Sequence, residues 1–377
     1  MIESQNGERP RGLAVLSFNN SLLKFFAPFL RKKAGVLSRP FFAYTRPKSI
    51  REGSDTMLQI SPRPDAAERA AVIDRLTAEY PILSRSTLGR SVLGREIPLL
   101  RLGEGKTHLL YVGAHHGAEG MTAAFLLRFL SEFLSAHRAE RSAEGVDPAF
   151  LLSVRTLWIV PALNPDGVEL VERGIASAGF LSERIKRMNG GSDDLSTWQA
   201  NARGVDLNHN YDAGFRAYKG VEASLGIQGG GPTRYSGDYP ESEPETAALT
   251  RFVRSVPLSM ILSLHTQGRE IYFTSGGRAL PGQAAVAARF SAMTGYRVSQ
   301  PAGAAAYGGL TDWAVGRLGI PAFTIECGEG KNPLPPERFI PAYAEIRPLL
   351  FRAPLYASPR TGDNRPTEDE TNEHRGL

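Results

Sequence analysis

The segment at residues 111–120, YVGAHHGAEG, constrains the fold of this chain more than any other stretch. An apolar strand pattern stops abruptly in His, His, Gly and Glu, and the apolar run MTAAFLLRFLSEFL begins directly after it. Open α/β sheets present their ligands where a strand ends and a helix begins. The segment therefore predicts an α/β fold with a functional site at this strand end.

His116 and Glu119 in this segment are interpreted as two metal ligands. Neutral imidazole and carboxylate bind zinc in catalytic sites, where three protein ligands leave a fourth position for water. An HxxE pair is a weak signal by itself, because polar residues at a strand end serve other purposes. Adjacent residues of a strand point to opposite faces, so His115 is interpreted as a core histidine or as one that supports a ligand from behind.

Length and composition restrict the function classes without selecting one. The 377 residues, 42% hydrophobic and 22% charged, are typical of a globular protein with one domain of roughly 300 residues and ragged ends. The net charge of +5 is interpreted first as a mildly basic, solvated surface and second as an indication of an anionic substrate. No Lys/Arg cluster is interleaved with aromatic residues, so no nucleic-acid partner is expected. The single cysteine, Cys327, rules out an intrachain disulfide.

The two ends of the chain differ from its middle. Residues 1–56 are basic and contain the amphipathic stretch SLLKFFAPFLRKKAGVL, whose apolar part is too short to span a membrane. Residues 1–56 are expected to be a flexible extension. They could form a helix on a membrane surface or a docking arm, or they could be upstream sequence that is not normally translated, in which case Met57 is the start. Residues 57–356 are expected to form the catalytic domain, and the charged residues 357–377 a disordered tail.

Apolar periodicity predicts strands alternating with helices. The predicted strands are residues 83–88, 97–102, 109–112, 156–164, 258–264 and 322–326, and the predicted helices are residues 65–80, 121–136, 244–255, 283–294, 310–318 and 336–351. This order favours a single α/β domain with a mixed, largely parallel central sheet covered by helices on both faces. Residues 174–201 and 226–244 are expected to be long functional loops.

Several polar side chains fall where predicted strands end, which is the strongest indication of one shared site. They are His116, Glu119, Asn164, His265 and Glu326. With His265 as third ligand, His116 and Glu119 complete a set of two histidines and one carboxylate, as in hydrolytic zinc enzymes.

Five motifs, in order, resemble those of the carboxypeptidase A type zinc peptidases over roughly residues 78–350: HxxE, NPDG, GVDLNxN, a distant strand-end histidine and FTIE. The stretches HTQGREIYF, YGGLTDW and FTIECGEGKNPLP are similar to the branch that contains bacterial γ-D-glutamyl-L-diamino acid endopeptidases. Members of that branch cut between D-glutamate and meso-diaminopimelate in cell-wall peptides. They often carry LysM wall-binding repeats, and none is visible here.

The resemblance implies roles for the strand-end residues. His116, Glu119 and His265 would hold one zinc ion, and Asp206 would orient His116 through its second ring nitrogen. Glu326 would be the general base, with a buried carboxylate in a structural ion pair as the alternative. Cys327, on the other strand face, is interpreted as core.

Two further roles implied by the resemblance fall on positions where this chain departs from the family pattern. Gln199 occupies the common position of the arginine that stabilises the oxyanion, so Arg203 is the candidate, with a surface arginine as an equal alternative. Ala304 stands where the family has a mobile tyrosine, so Tyr307 is the candidate, and a packing tyrosine is the alternative.

The substrate-binding residues also come from the resemblance. Asn208 and His209 stand where the family has an Asn-Arg pair that binds a terminal carboxylate, and histidine is a weaker anion binder than arginine. Thr311 would give the specificity pocket a polar wall, which suits a diamino acid. Lys331 would pair with a substrate carboxylate, unless it is simply a solvated lysine.

The predicted function is zinc-dependent hydrolysis of the γ-D-glutamyl-meso-diaminopimelate bond in peptides from peptidoglycan. A zinc carboxypeptidase of broader specificity and a non-catalytic zinc- or peptide-binding module are the alternatives, and the presence of Glu326 disfavours the second. No GxSxG motif supports a serine hydrolase. A monomer is expected, without a transmembrane segment. The lack of a signal peptide and of LysM repeats favours the cytoplasm, with export or wall association as the alternative.

Overall fold

A computed structural model describes residues 58–359 of the chain. The predicted extension at residues 1–56, the alternative start at Met57 and the tail from residue 360 onward lie outside the described residues. The predictions for these segments therefore stay predictions.

Eight strands form one mixed sheet within residues 58–359. The spatial order is β1-β2-β4-β3-β5-β8-β6-β7, and the neighbours β4-β3, β3-β5, β5-β8 and β6-β7 pair in parallel, whereas the other pairs are antiparallel. The strands are β1 Leu83–Arg90, β2 Glu96–Leu102, β3 Thr107–Val112, β4 Arg155–Val160, β5 Leu258–His265, β6 Glu270–Tyr272, β7 Arg297–Val298 and β8 Ala322–Glu326. The four central strands are thus all parallel, and their carboxyl ends meet at one edge.

Ten α-helices surround this sheet in the described part of the chain. They are α1 Ala66–Glu79, α2 Met121–Arg138, α3 Pro148–Val154, α4 Pro165–Arg173, α5 Ser182–Met188, α6 Phe215–Ser224, α7 Pro244–Ser255, α8 Gln283–Thr294, α9 Leu310–Leu318 and α10 Phe339–Arg352. Local sequence explains several starts. Asp65 caps α1 in a capping box with Glu68, and Asn164 caps α4 by accepting from the Gly167 N–H.

The core lies on both faces of the sheet, because successive strand residues point in opposite directions. Leu109 and Tyr111 of β3 pack with α1, α2, α8 and α10 on one face. Leu110 and Val112 pack with α7 and α9 on the other. The predicted α/β domain with a mixed, largely parallel sheet and helices on both faces is confirmed.

The sequence-based expectations were wrong mainly between residues 165 and 225. Residues 174–201 are not one long loop, because α5 lies within them, and the polar stretch that follows leads into α6. The helix α4 begins within the NPDG motif itself. The short strands β6 and β7 were also missed, since two or three residues are too few to display a period of two. No helix within residues 58–359 is both long and apolar enough to cross a membrane.

Candidate metal centre

The turn that carries His116 and Glu119 is fixed by close packing. His116 has an extended backbone, Gly117–Glu119 form a single 3₁₀ turn, and α2 follows. A Cβ atom at position 117 would lie 2.5 Å from the carbonyl oxygen of Gly167, so this position requires glycine for the turn to contact the NPDG motif. The two motifs therefore hold each other in place at the end of β3.

His116, Glu119 and His265 converge on one point. Their ligand atoms all lie within 4.8 Å of one another. The Glu119 carboxylate stands between the rings, with Oε1 2.8 Å from His116 Nδ1 and Oε2 3.0 Å from His265 Nδ1. Two imidazole nitrogens and a carboxylate facing each other in this way match the donor set of a catalytic zinc site.

Asp206 supports this group from behind, with Oδ1 3.2 Å from His116 Nε2. Burial disfavours the charged form of His116, but Glu119 and Asp206 outweigh it and raise its pKa well above the usual value. Burial likewise opposes ionisation of Asp206, yet His209 and His116 hold its pKa far below normal. The negative charges of Glu119 and Asp206 thus favour a cation at the cluster, as a zinc site requires.

A buried chain of hydrogen-bonding side chains supports His265. Its Nε2 lies 3.2 Å from Ser263 Oγ, and Ser263 Oγ lies 3.4 Å from His115 Nδ1. His115 Nε2 in turn lies 2.9 Å from the Tyr211 hydroxyl. Burial, together with His265 and His116, lowers the pKa of His115 well below normal, so this histidine is neutral. His115 thus supports a ligand from behind and does not belong to the cluster itself.

Glu326 stands beside the cluster because β8 pairs in parallel with β5, in the register that sets His265 opposite Glu326. Its carboxyl group lines the same cleft as His116 and His265. Removal from solvent, reinforced by the charge of Glu119, raises the pKa of Glu326 to about 8. A carboxyl group with a raised pKa at the edge of a metal cluster is suited to accept and return a proton.

The cleft in front of these groups has a volume of about 330 Å³, which is enough for part of a peptide. Asn208 and Thr311, both predicted to bind substrate, line it. Thr311 Oγ1 lies 2.7 Å from Thr324 Oγ1, so this wall is polar as expected. The neighbouring Asp312 also lines the cleft, and burial raises its pKa to about 7.

His209 lines the cleft but is occupied by other contacts. Its Nδ1 donates to the carbonyl oxygen of Tyr307 at 2.9 Å, and its ring stacks on Tyr218 with centroids 4.1 Å apart. Burial lowers the pKa of His209 despite the nearby charge of Asp206. The ring is therefore neutral near pH 7 and does not supply the positive charge of the arginine whose position it holds.

The structure does not bring three of the predicted residues into the cleft, and these expectations need correction. Arg203 lines a separate cavity, where its guanidinium lies 3.6 Å from Glu243. Tyr307 contributes its backbone carbonyl to His209, and its ring borders Gly214. Lys331 is exposed and absent from the cleft lining, because its turn directs the next residue, Asn332, inward instead.

Asn332 is one of three residues near the site that sequence reasoning missed. Its Nδ2 lies 3.4 Å from Glu119 Oε1 and 2.6 Å from the Thr266 carbonyl oxygen. Tyr272 of β6 and Arg234, from the Gly/Pro-rich segment, line the cleft. Tyr272 and Asn332 lie in two stretches that resemble the family branch, and that resemblance could have drawn attention to them, whereas the segment around Arg234 has no periodicity and no such signal.

Comparisons with known proteins agree with this geometry. Residues 70–349 match the family described as zinc carboxypeptidase. Gamma-D-glutamyl-L-diamino acid endopeptidase 1 of Lysinibacillus sphaericus is 34% identical over 284 residues, which are 75% of this chain and 70% of the relative. Protein YqgT of Bacillus subtilis is 31% identical over 283 residues, which are 74% of each chain.

A solved structure shares the fold. The carboxypeptidase A of Helicoverpa armigera aligns with a TM-score of 0.60 over 83% of this chain and 78% of that one, at 20% sequence identity. At this identity the likeness concerns the arrangement of the backbone alone.

Proposed function

This chain belongs to the zinc carboxypeptidase family, and we propose that it hydrolyses the γ-D-glutamyl-meso-diaminopimelate bond in peptides derived from peptidoglycan. It is a zinc metallopeptidase, and its substrates are peptides. The choice of bond is supported by the name of the relative from Lysinibacillus sphaericus, which matches three quarters of the chain. The polar cleft wall at Thr311 and Thr324 is compatible with a diamino acid.

The residues have the following proposed roles. His116, Glu119 and His265 hold the zinc ion, and Asp206 orients His116. Zinc bound there would polarise the scissile carbonyl and lower the pKa of a water molecule. Glu326 removes a proton from the attacking water and returns it to the amine that leaves.

The observation that carries the proposal is the position of Glu326. A protein that only binds zinc or peptide does not need a carboxyl group with a raised pKa in the same cleft as three converging ligands. The register of β5 and β8 fixes this group beside His265 without any contribution from a loop.

An ordinary carboxypeptidase activity is the less favoured alternative. Such an activity depends on a permanent positive charge that binds the terminal carboxylate, and arginine provides it best. His209 is neutral and donates to a backbone carbonyl, so the residue at the position of that arginine does not itself provide the charge.

The first experiment compares two substrates and two variants. Zinc-loaded protein is incubated with L-Ala-γ-D-Glu-meso-diaminopimelate and, separately, with a blocked dipeptide that has a free C-terminus, and the products are identified by mass spectrometry. We expect cleavage of the first between glutamate and diaminopimelate. His116→Ala should lose zinc and activity together, whereas Glu326→Gln should keep one zinc ion and lose at least about 100-fold in kcat, the usual scale of general-base catalysis.

Matched controls separate the site from general effects of substitution. His137→Ala on α2 and Glu337→Gln on the surface remove the same side-chain types outside the cleft and should retain zinc and activity. Cleavage of the dipeptide alone would favour the broader carboxypeptidase. Full activity of Glu326→Gln would contradict the proposed mechanism.

A further inference from the structure

Arg234 is the only arginine or lysine that lines the cleft within the described residues. Its side chain is exposed at the rim of the cleft, and its guanidinium makes no hydrogen bond or ion pair with any other residue between 58 and 359. Arg203 and Arg297, by contrast, are paired with the carboxylates of Glu243 and Glu270. Arg234 thus presents a full positive charge to the cleft.

The backbone of Arg234 is held in an unfavourable conformation. Its φ angle is +65°, in the left-handed region that residues with a side chain rarely adopt. Its N–H donates to Asp206 Oδ2 at 3.0 Å, and its carbonyl oxygen accepts from the Tyr218 hydroxyl at 3.0 Å. Backbone strain that is maintained by surrounding contacts is common at functional sites. The same carboxylate that supports His116 therefore also fixes the position of Arg234.

Apart from the zinc-binding histidines, no other side chain that lines the cleft within the described residues offers a positive charge to an anionic substrate group. The remaining ionisable groups in the lining, apart from the zinc-binding histidines, are the carboxyl groups of Asp206, Asp312 and Glu326, the phenol of Tyr272, whose pKa is raised by burial, and the neutral ring of His209. Asp206 Oδ2 lies 4.0 Å from His209 Nε2 and 3.0 Å from the Arg234 nitrogen, so the two residues are neighbours. Arg234 is therefore close to the position where His209 fails to provide a charge.

We propose that Arg234 is the carboxylate-binding residue of the cleft and determines specificity for an anionic peptide. This inference rests on the proposed function, because the proposed substrate carries two carboxylates beside the scissile bond, the α-carboxylate of its γ-linked D-glutamyl residue and the carboxylate at the L-centre of its diamino acid. A guanidinium can bind any of these through two parallel hydrogen bonds. The common chemistry is a carboxylate close to the scissile bond.

The test measures kcat and KM of zinc-loaded Arg234→Ala with L-Ala-γ-D-Glu-meso-diaminopimelate. Charge-assisted hydrogen bonds to a substrate group that does not react act on binding. We expect KM to rise about 30- to 100-fold with kcat changed less than about threefold, and Arg234→Lys to recover part of the loss. Arg251→Ala, an exposed arginine on α7, removes the same charge outside the cleft and should leave both constants unchanged.

Two amidated substrates identify the carboxylate and do not depend on the variant folding well. One carries D-isoglutamine, which lacks the glutamyl α-carboxylate, and the other carries a carboxamide at the L-centre of the diamino acid. The wild type should lose affinity for one of them, and Arg234→Ala should no longer distinguish that peptide from its parent. If the wild type binds both amides as well as the parent, or if Arg234→Ala keeps the wild-type KM, Arg234 is only a solvated surface arginine.

Failure of this inference is distinguishable from failure of the proposed function. If the wild type cleaves the peptide and Arg234→Ala does so with an unchanged KM, the inference is wrong and the proposed function stands. If the wild type cleaves nothing, the proposed function is wrong. Calorimetric titration of the zinc-loaded wild type and of Arg234→Ala with the same peptide then decides the role of Arg234, and equal affinities would exclude it.

Discussion

Individual side chains at the metal centre depend on partners that do not themselves face the metal. His265 directs Nδ1 toward Glu119, and a neutral His265 that binds metal through Nδ1 would carry its proton on Nε2, from which it donates to Ser263. The Ser263 hydroxyl then donates to His115 Nδ1, and His115 donates from Nε2 to Tyr211. These contacts hold the His265 ring in one orientation, with Nε2 toward Ser263 and Nδ1 toward Glu119.

At this scale we predict that Ser263→Ala weakens zinc binding about 10-fold, because removing a partner behind a metal ligand typically costs 10- to 100-fold in affinity. Zinc affinity is measured by competition with a chromophoric chelator. Ser259→Ala is the matched control, since Ser259 is also buried on β5 but its hydroxyl has no hydrogen-bond partner among residues 58–359. Equal zinc affinity of the two variants would show that the chain does not position His265.

At the scale of elements, the first turn of α7 ties the loops of the site to the sheet. Glu245 Oε1 accepts from the Val92 N–H between β1 and β2 at 3.0 Å, and Oε2 lies 3.3 Å from the side-chain nitrogen of Asn201. Burial, reinforced by Asp166 and Glu243, raises the pKa of Glu245 to about 8. The helix is thus anchored by a carboxyl group that the fold prefers to keep protonated.

The raised pKa of Glu245 predicts the pH dependence of stability. The folded state binds this proton more tightly than the unfolded state, in which the pKa is about 4.3. The stabilisation that protonated Glu245 gives the folded state is therefore complete below about pH 4 and is lost as pH rises toward 8. The free energy of unfolding of the wild type should therefore fall between pH 5 and 8. In Glu245→Gln this fall should be smaller, by an amount on the order of 1–3 kcal/mol.

Urea unfolding of wild type and Glu245→Gln across this pH range provides the measurement. Glu104→Gln, an exposed glutamate, serves as the control and should follow the wild-type curve. Parallel curves for wild type and Glu245→Gln would mean that Glu245 is ionised in the folded protein.

For the whole molecule, the central sheet assembles the site from segments far apart in the chain. The parallel strands β3, β5 and β8 are neighbours, so the turn after Val112, the end of β5 at His265 and the end of β8 at Glu326 meet at one edge. Ligands that are separated by about 150 residues in sequence cannot form a site in the unfolded chain. Metal binding is thus coupled to the folded state.

We therefore predict that zinc stabilises the whole domain. The melting temperature of the metal-free protein should rise with zinc concentration, and the gain corresponds to about 2.7 kcal/mol at 100 times Kd. Thermal unfolding is followed by circular dichroism. His265→Ala should melt at the same temperature with and without zinc, and magnesium, which prefers oxygen ligands, should not replace zinc for the wild type. A melting temperature of the wild type that is independent of zinc would contradict a site built from these segments.

The monomeric state and the cytoplasmic location stay predictions, as does the role of residues 1–56.

The sequence alone determined the features that are encoded within a few residues. Strand and helix periods lie in short windows, and the glycine and polar residues that end each strand mark where functional groups appear. For this reason the sequence alone places His116, Glu119, His265 and Glu326 at strand ends. The family pattern then gave the order of these residues a chemical meaning.

Only the tertiary structure decided which residues of the irregular segments reach the cleft. Arg203 and Arg234 are both arginines in stretches without periodicity, and sequence favoured the first. The bond from the Arg234 N–H to Asp206, 28 residues away, directs the second into the cleft, while Glu243 holds Arg203 outside it. Such contacts join distant parts of the chain, so no local pattern encodes them, and a loop takes its conformation from the fold that surrounds it.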